Sequence, residues 1–224
     1  MKNFRFKLSL ILFLLSIVCL HTVNAQDSSR FVKEVEDIQN RAFERESDKP
    51  LAVFTGSSSV RMWTGLEDSF PDYQVLNNGF GGSEFTDLIH FKEELIYSYN
   101  PDILFLYEGD NDIANGKSPA EILAAAAFLF ADIRTRLPKT DIYFISPKPS
   151  ISRWQLKDDY VAINQFFKEI SEFDDKLTYI DVWTPMLDES GEVRKDLFIE
   201  DDLHMNATGY EIWNEIIGSY LCQQ

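Results

Sequence analysis

Three histidines stand in the chain, at positions 21, 90 and 204, and one of them has the neighbours that acid–base chemistry requires. His204 closes the tetrapeptide Asp201-Asp202-Leu203-His204. In a turn, a carboxylate three residues earlier reaches one imidazole nitrogen and fixes the tautomer. The other nitrogen is then free to take a proton. A serine needs such a base, because its free hydroxyl is a weak nucleophile. His90 lies among Leu88, Ile89 and Phe91 in a helix-like stretch and reads as a helix-surface residue. His21 lies in the N-terminal apolar segment.

The serine for such a base is found in Leu51–Trp63, which reads LAVFTGSSSVRMW. An apolar run enters a turn of small residues, and hydrophobicity then resumes at changed spacing. That pattern is a buried strand, a tight turn and a helix start. Ser57, Ser58 and Ser59 offer helix caps and one nucleophile. A serine at the C-terminal end of a parallel strand sits where open α/β sheets place their active sites. An acyl-transfer oxyanion also needs neutral donors. Two further loops supply them: the Gly82 N–H in Asn77–Ser83, and the Asn111 side-chain amide in Tyr107–Asp112. Each piece alone has an ordinary structural explanation, as a cap or a surface histidine. The combination, in this order along an α/β pattern, points to nucleophilic catalysis.

The elements that must position these residues follow from the hydrophobic pattern. Strand-like runs fall at Leu51–Phe54, Tyr73–Leu76, Ile103–Tyr107, Ile142–Ile145 and Leu177–Val182. Helix-like stretches fall at Gln26–Asp48, Glu84–Tyr97, Pro119–Leu137, Trp154–Phe173 and Asn206–Leu221, with Ser118 capping the third of them. Such alternation implies right-handed βαβ units and a parallel sheet covered on both faces. The sequence contains no repeat, low-complexity tract or domain linker.

The N-terminus has the pattern of a secretory leader. Lys2, Arg5 and Lys7 precede the apolar run Leu8–Leu20, and Val23-Asn24-Ala25 forms a small-residue cleavage site. The expected organisation is a leader over residues 1–25 and one catalytic domain over 26–224, placed in the periplasm or outside the cell. The apolar run is short for a membrane anchor. The whole chain carries a net charge of −16. The leader removes three of its 21 basic residues and none of its 37 acidic ones, leaving 18 against 37, a net −19. So acidic a chain repels phosphate backbones and anionic membrane surfaces, which argues against a nucleic-acid partner. Cys19 leaves with the leader, so Cys222 has no internal disulfide partner and a thiolate zinc site is excluded.

With these residues in view, the chain resembles the SGNH hydrolases, also called GDSL esterases and lipases, over Ala52–Trp213. The Gly-Asp-Ser block of that family resembles Gly56-Ser57-Ser58, which makes Ser58 the nucleophile. Its glycine block resembles Gly79–Ser83 and makes Gly82 an oxyanion donor. Its Gly-x-Asn-Asp block is matched in full by Gly109-Asp110-Asn111-Asp112, and its Asp-x-x-His block by Asp201 and His204. The branch is similar to the platelet-activating-factor acetylhydrolase-like esterases. The chain departs from the family at Ser57, where aspartate is usual; that position is not part of the triad.

The resemblance implies a three-layer α/β/α sandwich, flavodoxin-like, with about five parallel strands. It implies a serine esterase working by two-step ester hydrolysis. With the leader the expectation is a secreted esterase, and the expected substrates are small acyl esters, acetyl first, with acetylated sugars as one class. Ser58, Asp201 and His204 form the catalytic set; Ser58 N–H, Gly82 and Asn111 form the oxyanion hole; no cofactor or metal is required. Short loops without a lid-like insertion favour small acyl groups. Arg61, Trp63, Arg153 and Trp154 are candidates to line the entrance, although packing or pairing explains them equally well. Competing readings are a non-catalytic carbohydrate-binding domain on the same fold and a lysophospholipase or thioesterase-type acyl hydrolase. A further one is a calcium loop through Asp110, Asp112 and Glu121, in which Ala114 and Asn115 occupy positions that should hold an oxygen ligand and a glycine.

Overall fold

The computed structural model of the protein describes residues 27–222. The expected leader over residues 1–25 lies outside the described residues. Five apolar runs become strands: β1 (Leu51–Gly56), β2 (Gln74–Gly79), β3 (Ile103–Tyr107), β4 (Asp141–Ile145) and β5 (Leu177–Ile180). All pair in parallel, in the order β2-β1-β3-β4-β5. Strand order therefore reverses between β1 and β3. Open α/β sheets bind ligands at the carboxyl ends of the strands beside such a reversal.

The helices are α1 (Val32–Gln39), α2 (Ser58–Arg61), α3 (Leu66–Ser69), α4 (Phe85–His90), α5 (Asp110–Ala114), α6 (Pro119–Arg136), α7 (Lys157–Ser171) and α8 (Ala207–Leu221). Strands β1 and β3 are buried along their whole length, as strands covered on both faces must be. Alternate side chains feed two cores. Leu51, Val53, Leu104 and Leu106 pack with Phe85, Leu129 and Phe167. Ala52, Phe54, Ile103 and Phe105 pack with Trp63, Tyr210, Trp213 and Ile217. The result is the expected three-layer α/β/α sandwich.

Three tryptophans fill the cores: Trp63, Trp183 and Trp213. Trp63 meets Trp213 edge-on at 5.3 Å between centroids. A ring of this size buries about 200 Å², and at ~25 cal/mol per Å² contributes about 5 kcal/mol before ordering entropy is subtracted. Trp63 is thus a core residue and not an entrance residue. His90 is exposed, as its helix position predicts. Ser118 and Glu121 form a reciprocal capping box at the start of α6.

The N-terminal stretch is less helical than its spacing predicts. A 3₁₀ turn at Ser28–Phe31 leads into α1, which stops at Gln39. Beyond it the chain is held by side chains instead: Arg41 donates to Asn78 Oδ1 at 2.6 Å, and Arg45 to the Asn100 carbonyl at 2.7 Å. Phe43, whose spacing suggested another helical turn, packs edge-on against Tyr99. Glu84–Tyr97 likewise divides into α4 and a π-helical segment at Glu93–Tyr97.

Candidate active site

The site lies on the rim where β1, β2 and β3 end. Gly56 sits at φ +122°, and a Cβ there would fall 2.0 Å from the Tyr107 carbonyl oxygen. Only glycine lets β1 end so close to β3. The next N–H, from Ser57, donates to that same carbonyl at 3.0 Å, and the chain turns into α2. This turn sends the three serines to different places. Ser59 is buried, and its carbonyl accepts from Tyr210 OH at 3.0 Å. Ser57 is buried, and its Oγ accepts from Asn111 Nδ2 at 2.6 Å. Ser58, half-buried, lies with its Oγ 2.9 Å from His204 Nε2.

His204 is held from its other side. Its Nδ1 lies 2.5 Å from Asp201 Oδ2. Asp201 Oδ1 also accepts from the backbone N–H groups of Leu203 at 3.0 Å and His204 at 2.8 Å. Desolvation opposes the charge on Asp201, but the hydrogen bonds from the His204 ring and these backbone donors outweigh it. They pull its carboxyl down to about 2. An ionised Asp201 requires the proton on Nδ1, which leaves Nε2 as an acceptor facing Ser58. The turn itself is pinned: Ile199 N–H donates to the His204 carbonyl at 2.9 Å, and Ser152 N–H to the Asp202 carbonyl at 3.0 Å.

The predicted oxyanion donors come from the loops after β2 and β3. Gly82 sits at φ +75° with open space where a Cβ would stand. Asn111 opens the first turn of α5, and its Nδ2 donates to the Ser83 carbonyl at 2.8 Å as well as to Ser57 Oγ. It therefore lies between the glycine loop and the serine turn.

Several residues at this site lie outside the predicted catalytic set: Arg153, a candidate only for the entrance, Asp110, a candidate only for the calcium loop, and Lys148 and Tyr160, which had no predicted role. From the loop after β4, Arg153 Nη2 donates to Asn111 Oδ1 at 2.9 Å. Its Nη1 donates to Asp110 Oδ1 at 2.5 Å. The Asp110 carboxylate is buried and also accepts from the Tyr107 hydroxyl at 2.9 Å and from the Tyr160 hydroxyl. Burial opposes its charge, yet Lys148 and Arg153 hold it below the ordinary carboxylate range. Lys148 is itself buried; its Nζ donates to the Leu203 carbonyl at 2.6 Å, under the turn that carries Asp201 and His204. Burial pushes this ammonium down to about 8, against the partial relief from Asp110.

The glycine loop has its own supports. Ser83 Oγ bonds Glu108 Oε1 at 2.6 Å, and burial, reinforced by Asp112, raises the Glu108 carboxyl well above the ordinary range. From α1, Glu34 accepts from Gly81 N–H at 3.1 Å and pairs with Arg61 at 3.3 Å. Arg61 is thus paired, and Trp154 is half-buried, stacked on Trp183 at 5.8 Å.

The carboxylates of the calcium alternative do not converge. Asp110 faces Arg153 and the two tyrosines, Asp112 pairs with Lys117 at 3.0 Å, and Glu121 caps α6. Among the described residues, no group of three or more acidic, histidine or cysteine side chains is arranged to hold a metal ion.

The model of the GDSL-like lipase/acylhydrolase family matches residues 51–212. A search of curated protein sequences gives no significant match. Solved structures share the fold. A Streptococcus pneumoniae protein, provisionally described as a platelet activating factor, is 20% identical with a TM-score of 0.75, over 95% of this chain and 99% of that one. A GDSL-like lipase from Bacteroides thetaiotaomicron is 17% identical with a TM-score of 0.70, over 88% and 98%. Axe2, an acetylxylan esterase from Geobacillus stearothermophilus, is 16% identical with a TM-score of 0.63, over 78% and 94%.

Proposed function

The chain belongs to the GDSL-like lipase/acylhydrolase family and is a carboxylic-ester hydrolase, and from that premise we propose that it removes small acyl groups, acetyl first, by a Ser58–His204–Asp201 mechanism. The observation that carries this reading is the line from Ser58 Oγ to His204 Nε2 at 2.9 Å and from His204 Nδ1 to Asp201 at 2.5 Å. His204 Nε2 takes the Ser58 proton as Oγ attacks the ester carbonyl carbon. The carbonyl electrons move to oxygen, and the Ser58 and Gly82 N–H groups and Asn111 Nδ2 receive that charge. The imidazolium then protonates the leaving alcohol as the carbon–oxygen bond breaks. Water, deprotonated by the same nitrogen, attacks the acyl-serine and frees the acid. Asn111 Nδ2 already serves the Ser57 hydroxyl. A charged oxygen outcompetes that neutral acceptor, because charge-assisted hydrogen bonds are about twice as strong.

The acetyl preference is supported by the short loops around Ser58 and His204, which carry no lid-like insertion to cover a long acyl chain. The Axe2 likeness makes acetylated sugars the first alcohol class to try. The basic and apolar pattern of residues 1–25 supports export. Among the described residues no helix is long and apolar enough to cross a membrane.

The test is hydrolysis of p-nitrophenyl acetate, butyrate and octanoate. kcat/KM should fall with chain length, and Ser58→Ala should lower kcat by roughly a thousand-fold or more. Ser57→Ala and Ser59→Ala should cost at most about tenfold, the scale of one neutral hydrogen bond. Full activity in Ser58→Ala would overturn the assignment. A preference for octanoate would overturn the acyl preference and favour a lysophospholipase-like role.

A further inference from the structure

We propose that Arg153 is a positioning residue that sets the orientation and donor strength of Asn111, so that the loop after β4 belongs to the oxyanion machinery. The inference rests on the esterase reading above. Its basis is the division of one guanidinium between two neighbouring residues. Nη1 serves Asp110, through the carbonyl at 3.1 Å and Oδ1 at 2.5 Å, while Nη2 serves Asn111 Oδ1 at 2.9 Å. The Asp110 carboxylate has both tyrosine hydroxyls as well, so it does not need the second amino group.

The arrangement leaves the Asn111 amide one orientation. With Oδ1 on Arg153, Nδ2 donates to the Ser83 carbonyl at 2.8 Å and to Ser57 Oγ at 2.6 Å. A flipped amide would set its NH₂ against a guanidinium that has only donors, and its oxygen against the Ser83 carbonyl. Both contacts are repulsive. The cation also draws electron density toward Oδ1 and strengthens Nδ2 as a donor, in a site where Asn111 is buried and screening is weak. Lysine cannot copy this, because a single ammonium lacks the planar fork that spans Asp110 and Asn111 together.

The alternative is that Arg153 only neutralises Asp110. A kinetic cycle separates the two. Arg153→Met, and Arg153→Met with Asp110→Asn so that no buried carboxylate is left unpaired, are assayed on p-nitrophenyl acetate, alone and with Asn111→Ala. Arg153→Met should lower kcat by about 10- to 100-fold, with KM changed less than about threefold. The paired variant should show the same loss, and Arg153→Lys should recover little of it. Once Asn111 is alanine, either change should cost less than about threefold more, because residues acting as a unit are not additive. A loss confined to KM, a paired variant with wild-type kcat, or a loss that persists undiminished beside Asn111→Ala would each overturn the inference. A wild-type chain inactive on every ester would instead overturn the esterase reading itself.

Discussion

Replacing Lys148 with methionine should change how stability depends on pH, in a direction that its burial fixes. Lys148 is buried, and its ammonium is pushed from the ordinary 10.5 down to about 8, chiefly by desolvation. The folded protein therefore releases this proton near pH 8, while the unfolded chain keeps it until about pH 10.5. Between those values the unfolded chain binds more protons, so stability rises with pH. Below pH 8 the full penalty applies, about 3 kcal/mol for an interval of this size. At pH 10 most of it is gone. Urea titrations of the wild type and Lys148→Met at pH 7, 8, 9 and 10 read the effect directly, because groups away from Lys148 cancel in the difference. The wild type should gain about 2–3 kcal/mol on the variant between pH 7 and pH 10. A difference flat with pH, to within about 0.5 kcal/mol, would refute the description of Lys148 as a buried ammonium. The methionine also removes the donor to the Leu203 carbonyl, which costs about 1 kcal/mol at every pH and leaves the slope untouched.

Asn111→Ala should reduce kcat by roughly a hundred-fold with little change in KM, the pattern of a contact made in the transition state; an effect confined to KM would mark it as a substrate-binding group. Asp201→Asn should lower kcat severely, because an amide favours the wrong imidazole tautomer. With the Asp201 carboxyl at about 2, below the ordinary 3.8, its contribution to stability is complete above pH 4 and is lost as the pH falls toward 2. Other carboxylates with lowered values, Asp110 among them, titrate in both proteins. Over that range the wild type should therefore lose more stability than Asp201→Asn, which the difference between acid titrations of the two proteins would show. EDTA should leave activity unchanged, since Asp110, Asp112 and Glu121 each have other protein partners; loss reversed by added calcium would contradict this.

The parts of this site that could be read in the sequence are those whose partners are near in sequence or scarce in number. Asp201 and His204 lie three residues apart, so a single turn brings them together, and few histidines compete for the role. The ends of β3 and β4 could be read because strands covered on both faces are apolar throughout and these runs stop at Glu108 and Ser146. By contrast, β1 and β2 continue through polar and small residues to Gly56 and Gly79, and β5 stops at Ile180, short of the predicted Val182. Where apolar spacing was ambiguous the reading failed. Phe43 fits another turn of α1, yet it reaches Tyr99 from a stretch without regular secondary structure. Which of three adjacent serines faces His204 is set by the torsions of one glycine, and those are invisible in composition.

The roles of Arg153 and Lys148 could not be read, although Arg153 is a candidate for the entrance, and the reason is physical. Arg153 meets Asn111 across 42 positions and Lys148 meets Leu203 across 55. Both contacts exist only once β4 stands beside β3 and the Asp201–His204 turn folds over the same rim. A faint signal was present: Lys148 follows the apolar run Ile142–Ile145 almost directly and stands between Pro147 and Pro149, where a charged side chain has little backbone freedom to reach solvent. A lysine so placed either ends the strand at the surface or is buried against a defined partner. The structure takes the second course, and places that cation beneath Asp201 and beside Asp110. The loop after β4 thereby acts on both halves of the site at once, with Lys148 under the base and Arg153 on the oxyanion donor. Ser58 is held between two charge networks that its own stretch of sequence does not contain.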